Sequence, residues 1–504
     1  MGLDWKKLLL GLFIGVGMTM MPACSNDEGY NTDGNGQGEE TAEPTGYLSM
    51  KLSLGSIDAK SLGTDVGRTA EQKVQKVWLV LYGADSDKVE YFWELKAGNT
   101  GGTFSGTDVS KESIATLSRF VTVGKPVTKQ KYKMLVLVNL ADSYSSLFAE
   151  NSSINNLDIP YAVKPLTDTD GWAQDSHFFM SNSQGLIDID ESDIKKSAKD
   201  AERSPKPVSV DRGVAKVVMD ATQPTVPGND KISDLRWNLE LTNKSSFWIR
   251  HPGLLSDGVQ EVAGDGSDRY DRYAVDPNFS GFSMANGGFP YTEFDYTSDK
   301  PYPLFITKTF GGSNNYAYAL ENTMAADEQY EDVTTRVVIG GRYTPADKND
   351  TNASFFTFAG YLISMSDMQN YADDASLIPA ALKSAGLAEA IAKVKVAYPF
   401  VFTTWYSPHS FIHAGVSFYC DGVCYYTVLI RHFNDSQVAA AMGYGRYGIV
   451  RNNVYKLTIK SISGLGSAML DKPGPDPDDG GTPSIAADIQ VLPWQVREQI
   501  VEDL

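Results

Sequence analysis

Apolar and polar residues alternate with a period of two over many short stretches of this chain, which predicts strands rather than long helices. In Tyr47–Leu54, Leu48, Met50, Leu52 and Leu54 point one way, and Ser49, Lys51 and Ser53 the other. This reads as one strand with a single buried face. Val74–Tyr82, Lys133–Leu140 and Val208–Met219 are denser apolar runs and predict core strands of one domain. Tyr144–Asn155 suits a short helix. Further strand-like runs are Leu235–Leu241, Phe247–Arg250, Val333–Tyr343, Phe355–Tyr361 and Val454–Ile459. Phe411–His432, centred on Asp421-Gly422, predicts a hairpin, because glycine readily takes the positive φ of a tight turn. The one helical period lies in Asn370–Val394. There Leu387, Ile391 and Val394 share a face, and Pro379 falls in or before the first turn.

Two stretches interrupt the pattern. Thr222–Asn229, rich in Pro, Gly and polar residues, predicts a domain boundary. Asp471–Gly481 holds three prolines, four aspartates and three glycines, and reads as a loose spacer. Alternation then resumes. Ile485, Ala487, Ile489 and Val491 share a face, Pro493 marks an edge or bulge, and Trp494 and Val496 follow. A strand delivered after a spacer, once the domain is complete, calls for a reason.

The N-terminus reads as an address. Lys6 and Lys7 precede an apolar run, Leu8–Met21, too short for a comfortable bilayer span. Met21-Pro22-Ala23-Cys24 follows, with a small residue directly before the cysteine, as in a bacterial lipoprotein signal. Cys24 would then carry lipid, and residues 25–45, small, polar and acidic, would be a flexible tether.

Composition narrows the function. The chain has 504 residues and a formal net charge of −19, which argues against nucleic acid as a partner. Glycine, Tyr and Phe are abundant, in keeping with strands and turns. Only Cys24, Cys420 and Cys424 are present, so a disulfide scaffold is excluded, and a single bridge between Cys420 and Cys424 is left open. His409, His413, Cys420 and Cys424 resemble a zinc ligand list, but strand spacing holds the two histidines apart. Asp188, Asp190 and Asp193 fail the calcium-loop pattern, with Asp193 at position six and Lys199 at position twelve. Tyr270, Tyr273, Phe282, Tyr291 and Phe294 could stack on sugars, although packing is the commoner role of such rings. No nucleophile elbow, phosphate loop or zinc-protease helix occurs, so nothing points to a catalytic, metal or cofactor site.

The order of these features resembles the fimbrillins, the type V pilins of Bacteroidales. The resemblance runs from the lipoprotein cysteine at Cys24 through the strand before Arg68, the first arginine of the chain, and Pro207–Val217. It continues through Arg451–Ile459, Ser463–Gly466 and Ile489–Trp494, with its most specific part between Tyr444 and Trp494. It is nearest to the major shaft subunit of short (minor) fimbriae. The resemblance implies a mainly β fold: two β-sandwich-like (transthyretin-like) domains with short helices and an extended C-terminal donor strand. It divides the chain into a signal peptide (1–24), tether (25–45), N-terminal strand and propeptide end (46–68), and first domain (69–225). A second domain (226–471), a spacer (472–483) and a donor segment (484–504) follow.

The resemblance also implies an arginine-specific protease that cuts between Arg68 and Thr69. Strand 47–54, with Leu48, Met50, Leu52 and Leu54, would leave, and a neighbour's Ile485, Ala487, Ile489, Val491, Trp494 and Val496 would replace it. The implied partners are copies of the chain itself, anchor and tip fimbrial subunits, and the outer membrane through precursor lipid. The implied place is the cell surface, with roles in adhesion or biofilm. Two other classes stay open: a monomeric surface lipoprotein that binds glycan or host ligand, and a secreted hydrolase.

Overall fold

In the computed structural model of the chain, the described residues are 45–54, 67–96, 120–183, 185–251, 273–280, 306–346, 353–403, 409–432, 445–470, 472–479 and 485–493. The strands in chain order are β1 (Gly46–Leu48), β2 (Met50–Leu54), β3 (Lys76–Gly83), β4 (Val89–Lys96), β5 (Phe120–Val121) and β6 (Lys125–Val127). Next come β7 (Tyr132–Val138), β8 (Tyr161–Ala162), β9 (Met180–Asn182), β10 (Ile187–Ile189), β11 (Lys206–Arg212) and β12 (Val214–Met219). Then follow β13 (Lys231–Glu240), β14 (Ser245–Ser246), β15 (Lys308–Thr309), β16 (Tyr316–Leu320), β17 (Arg336–Thr344) and β18 (Phe355–Phe358). The last are β19 (Tyr361–Ser364), β20 (Phe411–His413), β21 (Val416–Tyr419), β22 (Val423–Leu429), β23 (Asn453–Ile462) and β24 (Ile485–Pro493). The helices are α1 (Ala198–Arg203), α2 (Met365–Asp373), α3 (Ala380–Ser384), α4 (Leu387–Ala397) and α5 (Pro399–Thr403).

The architecture is mainly β, with several sheets and short helices. An eight-stranded sheet runs β4-β3-β7-β9-β11-β2-β5, with β10 also on β7. The densest apolar runs take its middle: Val77, Leu79, Val80, Leu81 of β3 and Met134 to Val138 of β7 are fully buried. Four-stranded sheets run β16-β12-β23-β24, β15-β13-β17-β22 and β19-β18-β21-β20, and β1-β6 and β14-β8 form two small pairs. Strands buried on both faces need continuous apolar runs, and these are the runs that form them. The largest apolar core lies under the eight-stranded sheet and takes in Leu320, Val454 and Leu492 from later in the chain. A second core lies between the sheets of β12 and β13, and a third between the β18 sheet and α2–α4.

The structure corrects several sequence expectations. Tyr47–Leu54 is two strands, because β1 pairs with β6 while β2 pairs with β11 and β5. Val208–Met219 is likewise divided at Gly213, where an added Cβ would lie 2.6 Å from Trp172 and 2.8 Å from Phe179. Only glycine permits that approach. β11 stays in the eight-stranded sheet and β12 enters the sheet of β23.

Asp421-Gly422 does not close a hairpin. Both residues have positive φ, but they turn a corner between sheets, since β21 pairs with β18 and β20 while β22 pairs with β17. Two-residue hairpin turns lie instead at Ala359-Gly360 and Ala414-Gly415, whose paired positive φ values suit them. The single helix expected over 370–394 is broken into short pieces. Pro379 caps α3, and Gly386, at φ 91°, separates α3 from α4. Leu382, Leu387, Ile391 and Val394 are buried as their spacing requires, whereas Leu377 is exposed.

Candidate functional site

The N-terminal strand is held on both sides. β2 runs parallel to β11, from Met50 opposite Lys206 to Leu54 opposite Val210, and antiparallel to β5 through Lys51–Val121 and Leu52–Phe120. The Met50 amide donates to Thr122 Oγ1 at 3.0 Å, and Ser49 Oγ donates to the Thr122 carbonyl at 2.6 Å. Leu48, Met50 and Leu52 are buried, and Lys51 is exposed, as the alternation predicts. Ser49 departs from that alternation: it is buried because Thr122 supplies its partner. Three such side chains contribute roughly 1.5–3 kcal/mol each, about 5–9 kcal/mol together.

Arg68 heads a short turn of 3₁₀ helix, Thr69–Glu71. Its backbone N–H donates to Glu71 Oε2 at 2.6 Å and its carbonyl accepts the Glu71 N–H at 2.9 Å. Its guanidinium donates to Glu71 Oε1, Asp175 Oδ1 and the Tyr318 hydroxyl, each at 2.8 Å, and lies 4.6 Å from the Tyr316 ring centroid. Glu71 is fully buried. It accepts from Lys216 Nζ at 2.9 and 3.1 Å and from Tyr318 at 2.5 Å. Burial opposes its charge, but Lys216, Tyr318 and Arg68 outweigh burial and hold its pKa below the ordinary carboxylate range. Burial likewise opposes the Arg68 charge, and Glu71 and Tyr318 more than compensate, raising its pKa. The sequence signal for this arrangement is the spacing Arg68-x-x-Glu71, that of an acidic side chain reaching back to a helix start. Lys216, Tyr318 and Asp175 carry no local signal.

β24 lies at the edge of its sheet, antiparallel to β23 from Pro493 opposite Asn453 to Ile485 opposite Ile462, with a bulge near Ile459. Its alternation is as read: Ala487, Ile489 and Val491 pack partly buried against the second core, Ile485 is buried in it, and Ala486, Asp488 and Gln490 are exposed. Trp494 and Val496 lie outside the described residues, as do Cys24 and the tether up to residue 44.

The spacer before β24 is anchored over 472–479. Glu331 donates its amide to the Asp476 carbonyl at 2.9 Å, and the Asp478 amide donates to the Gln329 carbonyl at 3.1 Å. Thr334 Oγ1 donates to Asp478 Oδ2 at 2.6 Å, while Asp479 accepts from Arg431, Arg446 and Tyr447. Composition predicted looseness, and partners distant in sequence reverse it.

The slot of β2 and the seat of β24 are different places. They are linked through β11 and β12, which are consecutive along the chain. Two of the runs that carried the resemblance, Pro207–Val217 and Arg451–Ile459, meet here. β12 runs parallel to β23, Lys216 opposite Val454 to Met219 opposite Leu457, and Asn452 Nδ2 donates to Asp211 Oδ1 at 2.6 Å. Arg451, buried, donates to buried Glu321 at 3.1 Å and to Ser246 Oγ at 2.9 Å.

The disulfide between Cys420 and Cys424 is not formed: both are free thiols. The corner at Asp421-Gly422 sends them to different cores, Cys420 against the third and Cys424 into the second. Burial pushes each thiol up to about 11. Among the described residues no group of three or more His, Cys, Asp or Glu is placed to hold a metal ion. Of the candidate sugar-stacking rings, Tyr273 is a buried packing residue whose hydroxyl donates to the Tyr447 carbonyl at 3.0 Å. Tyr270, Phe282, Tyr291 and Phe294 lie outside the described residues.

Residues 417–500 match the family model described as major fimbrial subunit protein type IV, fimbrillin, C-terminal. The match points to the fimbrillin family in general, and it spans β23, the anchored spacer and β24. No curated protein matches the chain. Among solved structures, the chain is similar to a fimbrilin (FimA) from Porphyromonas gingivalis W83, with 15% identity, TM-score 0.45, 91% of this chain and 99% of that one. It is also similar to the tip fimbrial protein Mfa3 from Porphyromonas gingivalis with C-terminal truncation, with 9% identity, TM-score 0.38, 88% of this chain and 100% of that one.

Proposed function

We propose that this chain is a structural, non-catalytic subunit of a surface fimbrium, nearest in role to the shaft subunit of short fimbriae. In this reading it polymerises by exchanging strands once its own N-terminal strand is cut away. The observation that carries the reading is the match of residues 417–500 to the C-terminal region of fimbrillins. The precursor would be held to the outer membrane by lipid on Cys24. An arginine-specific protease would cut between Arg68 and Thr69. The mature chain would then hold two sandwich-like domains, 69–225 and 226–471, a spacer at 472–483 and a donor segment at 484–504. Partners would be further copies in a linear polymer, with anchor and tip subunits at its ends.

The physical logic is an exchange of burial. Loss of β2 leaves β11 with an unpaired edge beside the apolar positions that Leu48, Met50 and Leu52 filled. In β24, Ile489 and Val491 are only partly buried on their own core. Moving them to a slot that buries side chains fully gains apolar burial, and backbone pairing is exchanged for backbone pairing. One end of each chain fills a slot on the next, so the contact is heterologous and builds a fibre.

A second reading has its own observation. β24 pairs with β23 of the same chain, as the last strand of a monomeric surface protein would. Intact mass and N-terminal sequencing of protein sheared from native cells, resolved by assembly size, separate the two. Polymer that begins at Thr69 supports the fimbrial reading. Monomer alone, still carrying residues 47–54, overturns it.

A further inference from the structure

The Arg68–Thr69 bond lies inside a folded turn rather than on an extended loop. A trypsin-like protease needs its substrate arginine extended, with the side chain in an acidic pocket and the carbonyl oxygen in the oxyanion hole. Each of these groups is engaged elsewhere here. The guanidinium bridges Glu71, Asp175 and Tyr318 and covers Tyr316. The Arg68 carbonyl accepts from the Glu71 amide, and its N–H donates to the Glu71 carboxylate. Downstream, the Ala70 carbonyl accepts from the Ser176 amide at 3.0 Å, so the far side of the bond is tied as well. The Arg68 side chain is only 37% exposed.

We propose that the Arg68–Glu71 turn is a latch on its own scissile bond, which an arginine-specific protease can cut only after Arg68 leaves Glu71, Asp175 and Tyr318. This rests on the reading that the chain matures by cleavage after Arg68. The rate of cutting then follows the fraction of chains in which the turn is open.

The latch also prepares the product. Hydrolysis adds one water across the amide and breaks its C–N bond, leaving a carboxylate on Arg68 and an ammonium on Thr69. The guanidinium departs with the N-terminal segment. The new ammonium stands two residues before Glu71, so that buried carboxylate keeps a cation nearby in addition to Lys216. Cleavage therefore removes one positive group from the niche and creates another.

The test uses residues 25–504 and limiting clostripain, an arginine-specific endoprotease, with appearance of the Thr69 N-terminus followed by mass spectrometry. The variants are Asp175→Asn, whose side chain is 67% exposed, and Asp175→Asn with Tyr318→Phe. Both keep Arg68 itself. A peptide of residues 62–75 gives the unlatched rate, and cleavage after Arg203, whose side chain is 78% exposed, is the internal reference. Wild type should be cut well below the peptide rate. The double variant should be cut on the order of ten-fold faster than wild type, the effect of weakening the contact to Asp175 and removing the one to Tyr318. Cleavage after Arg203 should be unchanged. A wild type cut as fast as the peptide, or a double variant no faster than wild type, overturns the latch. Equal acceleration at Arg203 also overturns it, because general unfolding would then be the cause. Native fibres that begin at a residue other than Thr69 would overturn the maturation reading instead, and leave the latch measurement standing as a property of the fold.

Discussion

Removing both terminal strands offers the sharpest test of exchange. A chain of residues 69–479 lacks β1, β2 and β24. It loses the burial of Leu48, Met50 and Leu52 and, on β24, of Ile485 and Leu492, about 8–15 kcal/mol at roughly 1.5–3 kcal/mol each, an upper figure because unfolded chains already bury some surface. Against a typical domain stability of roughly 5–15 kcal/mol, the truncated chain should be marginal, with a lowered urea midpoint. Each slot should accept its own strand. A peptide of residues 45–54 should restore stability, and a peptide of 484–496 should do so by filling either the β23 edge or the vacated β2 slot. Competition separates these. If the β2 slot accepts the C-terminal strand, the 45–54 peptide will be displaced by excess 484–496 peptide. At a hundred times its Kd, either ligand adds about 2.7 kcal/mol. The assay is a urea titration with a fluorophore on the 45–54 peptide. Restoration by 484–496 with no displacement of 45–54, at any excess, would refute exchange into the β2 slot and leave β24 as a strand of its own subunit only.

Glu71→Gln should destabilise the chain by about 3–5 kcal/mol in chemical denaturation, because it takes the buried carboxylate's charge away from Lys216 and Arg68. The Glu71 pKa is depressed in the fold, so its contribution should be complete above the ordinary value of 4.5 and be lost as pH falls through the depressed folded value, a dependence absent from the variant. Asp478 behaves oppositely. Burial, reinforced by Glu331, Asp479 and Asp332, raises its pKa to about 7, so the folded chain holds its proton longer than the unfolded one. Docking of 472–479 should weaken as pH rises from 3.8 to about 7, read as a falling protection factor at the Asp478 amide once the intrinsic rise of exchange with pH is divided out, and Asp478→Asn should flatten that fall. Native protein lacking Cys24 should show two free thiols by mass and alkylate slowly at pH 8, since both thiols are pushed up to about 11. Fast alkylation or a mass two hydrogen atoms lighter would contradict two free thiols held up by burial.

The elements that carry the proposed function were legible because a strand with one buried face must alternate. Met50 and Leu52, and Ile489 and Val491, obey that rule whatever they pair with. The helical period around Leu387, Ile391 and Val394 was equally local, although Pro379 and Gly386 shortened the helix to pieces. Local turn chemistry was less faithful. Asp421-Gly422 adopts the positive φ its sequence favours, yet whether such a pair closes a hairpin or turns a corner depends on which sheets accept the flanking strands.

The sequence by itself determined the mainly β class and the alternating faces of the terminal strands. Only the tertiary structure decided the pairings: β2 between β11 and β5, β24 against β23, and the switch of sheets at Gly213 beneath Trp172. It also decided that Arg68 is clasped and that the acidic spacer is anchored. The reason is distance along the chain. Alternation and turn preference are set by neighbours, whereas the partners of Arg68 and Asp478, Tyr318 and Thr334, stand 250 and 144 residues away, and no local pattern encodes a contact of that separation.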